Sequence, residues 1–445
     1  MFDMAESSAK LHTYITKLAK TPQDCYNQIQ VFQQLSKQIT MKTTSWRVIF
    51  FAGISALLII YVVWWNRMIA DPSEHHGIDF IALYSAGYIA QTHGFASIYD
   101  IELQQKTEQQ VVGFELPEGR VLLYNHLPYI VPLLSLVVDD NYVGSLKRWT
   151  LVLTCIYLIG NLFFVKSLFM NQKAETQFML FIGAITFSPL FVSLWQGQDT
   201  AFLYLGVVFW CIGILKKQEW LVGVGLALAT TRPHISIALA VPLLFRYRRA
   251  LWRSVFLISG LAFLSFMLIR SQGTAEFLNL LRISSEGTWF GMKPEAMPNL
   301  LGFILRITQF SNPGTAALIG WVIYMAGIVL LGGLWLRSNL TTERLLGLSV
   351  LIAIVTAPHL HLHDLTLLIF PLLFVVHDRI TMPYKPHWIL LPLGASLFLI
   401  AGILLVTVNF ILPYILFSIL AWMLWHQDRT PASHEMQTLN RPTLK

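Results

Sequence analysis

The sequence predicts an all-α protein that crosses a membrane many times, and three observations carry that prediction. Of its 445 residues 55% are hydrophobic and only 12% charged, where a soluble domain carries about a quarter charged residues. Apolar runs of roughly 17–25 residues, long enough to cross a hydrocarbon core about 30 Å thick, recur along the chain. The basic residues sit in short clusters between those runs, as in cytoplasmic loops. That arrangement accounts for the net charge of +7 without a nucleic-acid partner.

The chain opens with a polar arm, residues 1–45. "KLHTYITKLAK" and "NQIQVFQQLSKQI" have helical spacing, so the arm is either an amphipathic helix on the cytoplasmic membrane face or a partly ordered tail. So long a polar lead is not the n-region of a secretory signal, and none is expected. Residues 46–426 form a single transmembrane domain with external loops at 70–120 and 271–313, and 427–445 form a cytoplasmic tail.

Within that domain the first span is Trp46–Trp65, followed by Trp149–Val165, Phe178–Trp195 and Ala201–Leu215. Two short elements, near Leu221–Thr231 and Ile235–Phe245, flank "TTRPH" and predict a hairpin whose tip reaches partway through the membrane. Ala250–Ile269 follows. After a polar loop come Ala316–Leu336, Leu345–Ala357, Leu365–Val376, Trp388–Val408 and Phe410–Trp425, giving about twelve spans. Val121–Val137 is long enough to cross, but Asn125, His126, Pro128 and Pro132 predict a re-entrant or broken element. Irregular backbone at that depth is tolerated where it lines a cavity.

Charge sets the sidedness. Five lysines precede the first span and Arg47 stands at its start, and "RYRRALWR" (Arg246 to Arg253) has four arginines and no acid. The loop Asp71–Arg120 has eight Asp/Glu against Lys106 and Arg120. By the positive-inside rule the basic segments are cytoplasmic and the acidic loop external. The three cysteines (Cys25, Cys155, Cys211) show no metal spacing, and no disulfide framework is expected.

This topology gathers the polar motifs on the external face: Asp79, His126, "QGQD" (Gln196–Asp199), "TRPH" (Thr231–His234), "MPN" (Met297–Asn299) and "HLHLHD" (His359–Asp364). Ionisable groups at membrane depth are costly, so such a gathering predicts one cavity with a function. Asp79 is either a helix N-cap or a general base within reach of a hydroxyl; Asp100 reads as a turn or cap. Arg232 is either a snorkelling side chain or a phosphate ligand through its fork of donors. His359 and His363 one helical turn apart, beside Asp364, raise zinc. Pro358 and the lack of a fourth ligand argue against it, and no metal or other cofactor is expected. A carboxylate, an arginine and histidines together suit attack of a hydroxyl on a sugar carrying a phosphate leaving group. A transporter or flippase of a lipid-linked or small polar solute would share buried acids, histidines and broken helices. It would not need the large acidic first loop.

"DFIALYSAGYIAQTHGFASIYD", "YNHLPYIVPLLSLV", "LWQGQDTAFLYL", "VGVGLALATTRPHISIALAVPLLFRYRRALWR", "MPNLLG" and "PHLHLHDLTLLIFPLL" stand in an order that resembles glycosyltransferase family 87. That family includes the polyprenol-phosphate-mannose-dependent membrane mannosyltransferases. The likeness runs over about Trp46 to Val376. It implies a GT-C-type fold in a bacterial inner membrane, with a cavity open to the periplasm. It also implies a polyprenyl-phosphate-linked sugar donor, mannose above all, a lipid or glycan acceptor, and metal-independent inversion. By the same resemblance Asp79 is the base, and Arg232 stands where a lysine is frequent. The "GQ" motif falls on Gly197 and Gln198 and the "HD" motif on His363 and Asp364. Arg232, His363 and His359 are then expected at the donor phosphate, with His126, Gln198, Asp199, Asp364 and Asn299 positioning sugar or acceptor. Leu301 departs from the pattern, standing where an arginine is frequent.

Overall fold

The computed structural model describes residues 22–70, 79–117, 119–285, 296–309, 312–380, 386–404 and 411–426, with backbone alone at 22–45, 285, 386, 403 and 404. The "KLHTYITKLAK" segment, the tail 427–445, residues 71–78 and part of the second external loop lie outside them. Two compact units divide the chain, residues 1–56 and 57–445. The described residues are helical throughout, with no strand among them.

In chain order the helices are α1 Pro22–Ala70, α2 Phe80–Thr92, α3 Ile101–Val112, α4 Val131–Val137, α5 Tyr142–Leu168, α6 Ala174–Ile185, α7 Ser188–Gln196, α8 Thr200–Leu215, α9 Glu219–Ala229, α10 Pro233–Arg246, α11 Arg248–Ser285, α12 Leu300–Thr308, α13 Pro313–Arg337, α14 Thr342–Thr356, α15 Ile369–Ile380, α16 Leu391–Leu404 and α17 Leu412–Trp425. The backbone of α1 is continuous from Pro22, so no break separates residues 22–45 from the first apolar run.

About twelve spans were expected. Among the described residues four helices are long and apolar enough to cross: Trp46–Ala70, Tyr142–Leu168, Arg248–Ser284 and Pro313–Arg337. A fifth forms if α6 and α7, bent by 46° at a short break, count as one. The remaining apolar helices have 10–17 residues, and a 14-residue helix rises only about 21 Å. The sequence divides its apolar runs by design: Pro189 reopens a helix after Phe187, Pro233 opens α10, and Gly197 closes α7 in the left-handed region at φ 66°. The long α11 is itself broken at Arg270, which sits at φ 58° and ψ −168°.

Broken helices free backbone groups that lipid cannot satisfy, so neighbours must. At the α6–α7 break, Tyr61 donates its hydroxyl to the Thr186 carbonyl at 2.8 Å. Ser396 on α16 accepts from the Ser188 N–H at 3.0 Å and takes the Ser188 hydroxyl on its own carbonyl at 3.1 Å. The helices α8 and α9 approach through glycines: a Cβ on Gly225 would lie 2.5 Å from the Trp210 amide nitrogen. No larger residue fits that seam.

The Val121–Val137 stretch forms no spanning helix. Its helical part is confined to Pro128–Val137, a single-turn 3-10 element and then α4. It is held to its neighbours by polar contacts. Gln91 donates to the Val138 carbonyl at 2.9 Å and also to that of Ser135, while Arg148 donates to the Val137 carbonyl at 2.8 Å and pairs with Asp139 at 2.7 Å. Apolar side chains stay on the outside of the long helices, among them Trp252 and Phe256 on α11 and Val329 on α13, about 70% exposed each. Such a surface is the complement of a lipid solvent.

Candidate active site

Four short turns and one extended segment converge on a cavity of ≈ 270 Å³. Asp79 enters just before α2. Gln198 and Asp199 come from the α7–α8 turn, Arg232 from the α9–α10 turn, and the histidines 359, 361 and 363 from the segment after α14. The extended segment Leu122–His126 supplies the facing wall.

The α7–α8 turn is set by Gly197. Its left-handed backbone lets the Gln198 N–H reach the Ser193 carbonyl (2.9 Å) while its own N–H takes that of Leu194 (3.1 Å), the bonding of a Schellman cap. Trp149 donates its indole N–H to the Gly197 carbonyl at 2.7 Å. A Cβ on Gly197 would fall 2.7 Å from the Phe80 Cβ, the residue after Asp79. This close approach brings the turn against the start of α2.

Asp79 and Asp199 both occupy helix N-cap positions, and neither side chain caps its helix. Asp100, Asn141, Asn299, Asn312 and Thr341, at the same position of other helices, all do. The Asp79 carboxylate accepts from Gln198 Nε2 at 2.7 Å and lies 3.6 Å from His363 Nδ1. Enclosure by protein raises its pKa above the ordinary carboxylate value, opposed in part by His361, Gln198, His126 and Arg232. Even so, its side chain keeps 24% exposure, on the cavity side.

Asp199 is fully buried; one oxygen takes His126 Nδ1 at 2.9 Å and the other Arg232 at 3.1 Å. That short bond assigns the His126 proton to Nδ1. Arg232 also sets Nε 3.3 Å from Asp364 Oδ1 and donates to Gln198 Oε1 at 3.3 Å. A further donor points at His363 Nε2, again at 3.3 Å, so the His363 proton lies on Nδ1, facing Gln196 Oε1 at 3.1 Å. Asp364 in turn accepts the His361 N–H at 3.1 Å, closing a capping box that fixes the histidine segment. Three carboxylates thus face one guanidinium, and Gln198 bridges Arg232 to the third of them.

Of the residues expected from the sequence, Asp79, His126, Gln198, Arg232 and His359 line the cavity. His363, Asp199 and Asp364 stand behind it, holding Arg232 and His126. Asn299 is elsewhere: its side chain caps α12 through the Gly302 N–H (2.9 Å) and donates to the Ala357 carbonyl (2.8 Å). It acts on the cavity only by fixing the chain ahead of His359. The helical face that would have paired His359 with His363 does not form, because regular structure starts again only at Leu362. Among the described residues no group of three His, Cys, Asp or Glu is arranged to hold a metal.

His234 and His361, which belong to the polar motifs but had no role assigned to them, also line the cavity. His361 is among the groups that oppose the rise of the Asp79 pKa. Its position between two histidines that had been singled out was the available sign, missed because a helical reading turned it to the opposite face.

A family model, glycosyltransferase family 87, matches residues 143–360. It is the family that the order of motifs resembles, and the matched stretch holds Gln198, Asp199, Arg232, Asn299 and His359. No curated protein and no solved structure matches the chain. The match indicates a membrane glycosyltransferase, an enzyme with a sugar donor and an acceptor, and does not favour a transporter.

Proposed function

We propose that the protein transfers a hexose, mannose in the first place, from a polyprenyl-phosphate donor to an acceptor hydroxyl on a lipid or glycan, with inversion. In this reading it has a GT-C-type fold in a bacterial inner membrane and works at the periplasmic face. Asp79 is the general base. It takes the acceptor hydroxyl proton as that oxygen bonds to the anomeric carbon, and the carbon–oxygen bond to phosphate breaks, releasing polyprenyl phosphate. The observation that carries the reading is the Asp79 carboxylate: it stands at a helix N-cap, leaves the cap unmade, and opens to the cavity. Its raised pKa suits a base better than an ordinary surface aspartate.

Arg232 is already shared between Asp199 and Asp364. It therefore meets the leaving phosphate together with the His359 and His361 imidazoles rather than alone, while His363 fixes its fork of donors. Gln198 and His126 position the sugar or acceptor; Asp199, Asp364 and Asn299 act by holding those groups in place. Preorganised donors of this kind are worth most where water is excluded.

The test is sugar transfer in proteoliposomes from polyprenyl-phosphate mannose. Asp79→Asn is expected to abolish transfer in a folded protein, and near-normal transfer by that variant overturns the assignment.

A further inference from the structure

The wall that carries His126 is not held by secondary structure. Residues 121–127 belong to no helix or strand, so their backbone N–H groups need partners from elsewhere. Two come from side chains on one face of α3. Gln104 Oε1 accepts the Tyr124 N–H at 2.9 Å, and Glu108 Oε2 accepts the Leu122 N–H at 3.1 Å.

The spacing explains the match. Residues four apart rise about 6 Å along a helix, and residues two apart span about 6.6 Å of extended chain. An i, i+4 pair of acceptors can therefore grip alternate amides of a strand, as a neighbouring strand would. Gln104 is itself fixed by donating to the Ile98 carbonyl at 2.9 Å. The gripped segment continues into His126, whose carbonyl accepts the Tyr99 hydroxyl at 2.7 Å and whose ring bonds Asp199.

Gln104 and Glu108 are both 0% exposed. The second oxygen of Glu108, Oε1, is buried with no hydrogen-bond partner among the described residues. A carboxylate so placed would be an uncompensated buried charge, whereas a neutral carboxyl is tolerated. Among the described residues the Tyr142 phenol of α5 is a titratable group close to it, and it offers no positive charge. Of the other titratable groups on packed elements, Tyr84 donates to the Asp139 carbonyl and Tyr124 to that of Leu127. On α3 itself Lys106 pairs with Glu102 at the surface.

We propose that Gln104 and Glu108 are positioning residues that hold the Leu122–His126 wall in register with the cavity, Glu108 doing so as a neutral carboxyl whose ionisation loosens the wall. Burial pushes the Glu108 carboxyl up to about 8, opposed in part by the Leu122 N–H. A carboxyl raised in this way supports the folded wall below the ordinary carboxylate range, and that support is lost as pH rises through about 8.

The site served is the one assigned above, but the test does not require that assignment. The full chain in lipid nanodiscs is followed by hydrogen–deuterium exchange over Leu122–His126 from pH 6.5 to 9, each rate divided by the intrinsic rate at that pH. In the wild type, protection falls about tenfold per unit of pH from 6.5 towards the Glu108 value of about 8 and levels off above it. Glu108→Gln keeps the acceptor without the titration and holds protection flat. Gln104→Leu exposes Tyr124 at every pH. A flat wild-type profile, or the same fall in Glu108→Gln, overturns the proposal. Transfer assays add a second readout: the alkaline loss of activity disappears in Glu108→Gln. A wild type without transfer activity counts against the proposed reaction and leaves the exchange result standing.

Discussion

The Asp79 carboxylate takes a 2.7 Å hydrogen bond from the amide of Gln198, 119 residues further along the chain, and none from its own helix. The same amide accepts from Arg232 through its oxygen. Gln198 thus links the orientation of a buried cation to the proposed base.

Asp79→Asn keeps shape and hydrogen-bonding capacity and removes basicity. Transfer is expected to fall by roughly 10²–10⁴-fold, the usual worth of a general base. Thermal stability in detergent should change little, since no cap is lost. Gln198→Leu frees the carboxylate without removing it, and a smaller loss, about tenfold in kcat, is expected in the same assay.

The acid limb of the pH–rate profile should lie above the ordinary aspartate value, because enclosure raises Asp79. A base works ionised, so activity falls as pH drops through that raised value. Steady-state kinetics from pH 4 to 7.5 would read it directly. Activity that holds down to the ordinary carboxylate range would remove Asp79 as the titrating base.

Arg232→Met should fail through stability before chemistry. It leaves Asp199 and Asp364 buried without their cation, a change that costs roughly 3–5 kcal/mol in buried pairs. Arg232→Lys keeps the charge but cannot reproduce the planar fork. Combining Arg232→Met with Asp364→Asn removes one stranded charge and should recover part of the lost thermal stability.

Gly197→Ala probes the turn that brings Gln198 to Asp79. Left-handed backbone with a Cβ costs about 1–2 kcal/mol, and here that Cβ also meets Phe80 at 2.7 Å. Both melting temperature and kcat should fall, whereas the same change at Gly260, where nothing lies within 4 Å of the added atom, should leave kcat unchanged.

Much of this was legible before the structure. Composition and the spacing of apolar runs announced a helical membrane protein, and the polar motifs indicated which turns would meet. The prolines and asparagine of Val121–Val137 foretold that it would not form one continuous helix. What could not be read was how a polar side chain would be used. Asp79 and Asp100 both sit where a cap belongs, and only packing decides that Asp100 caps while Asp79 reaches Gln198. The bend within Phe178–Trp195 was hidden for a related reason: hydropathy registers the run as continuous, although Pro189 and the contacts with Tyr61 and Ser396 permit a sharp break within it. Gln104 and Glu108 escaped notice because an ordinary polar face on an external helix carries no mark of being turned inward.

The meeting of Asp199, Arg232 and Asp364 also has a chronology. Ribosomes add about 5–20 residues per second, so Asp364 is made about ten seconds after Arg232. Through that interval the guanidinium has one carboxylate partner, and the segment bearing the histidines does not yet exist. The site closes only when a late portion of the chain reaches an early one, which ties full ion pairing at Arg232 to the arrival of the histidine segment. Truncation shortly before residue 364 should therefore yield a product that reaches the membrane but is handed to quality-control proteases.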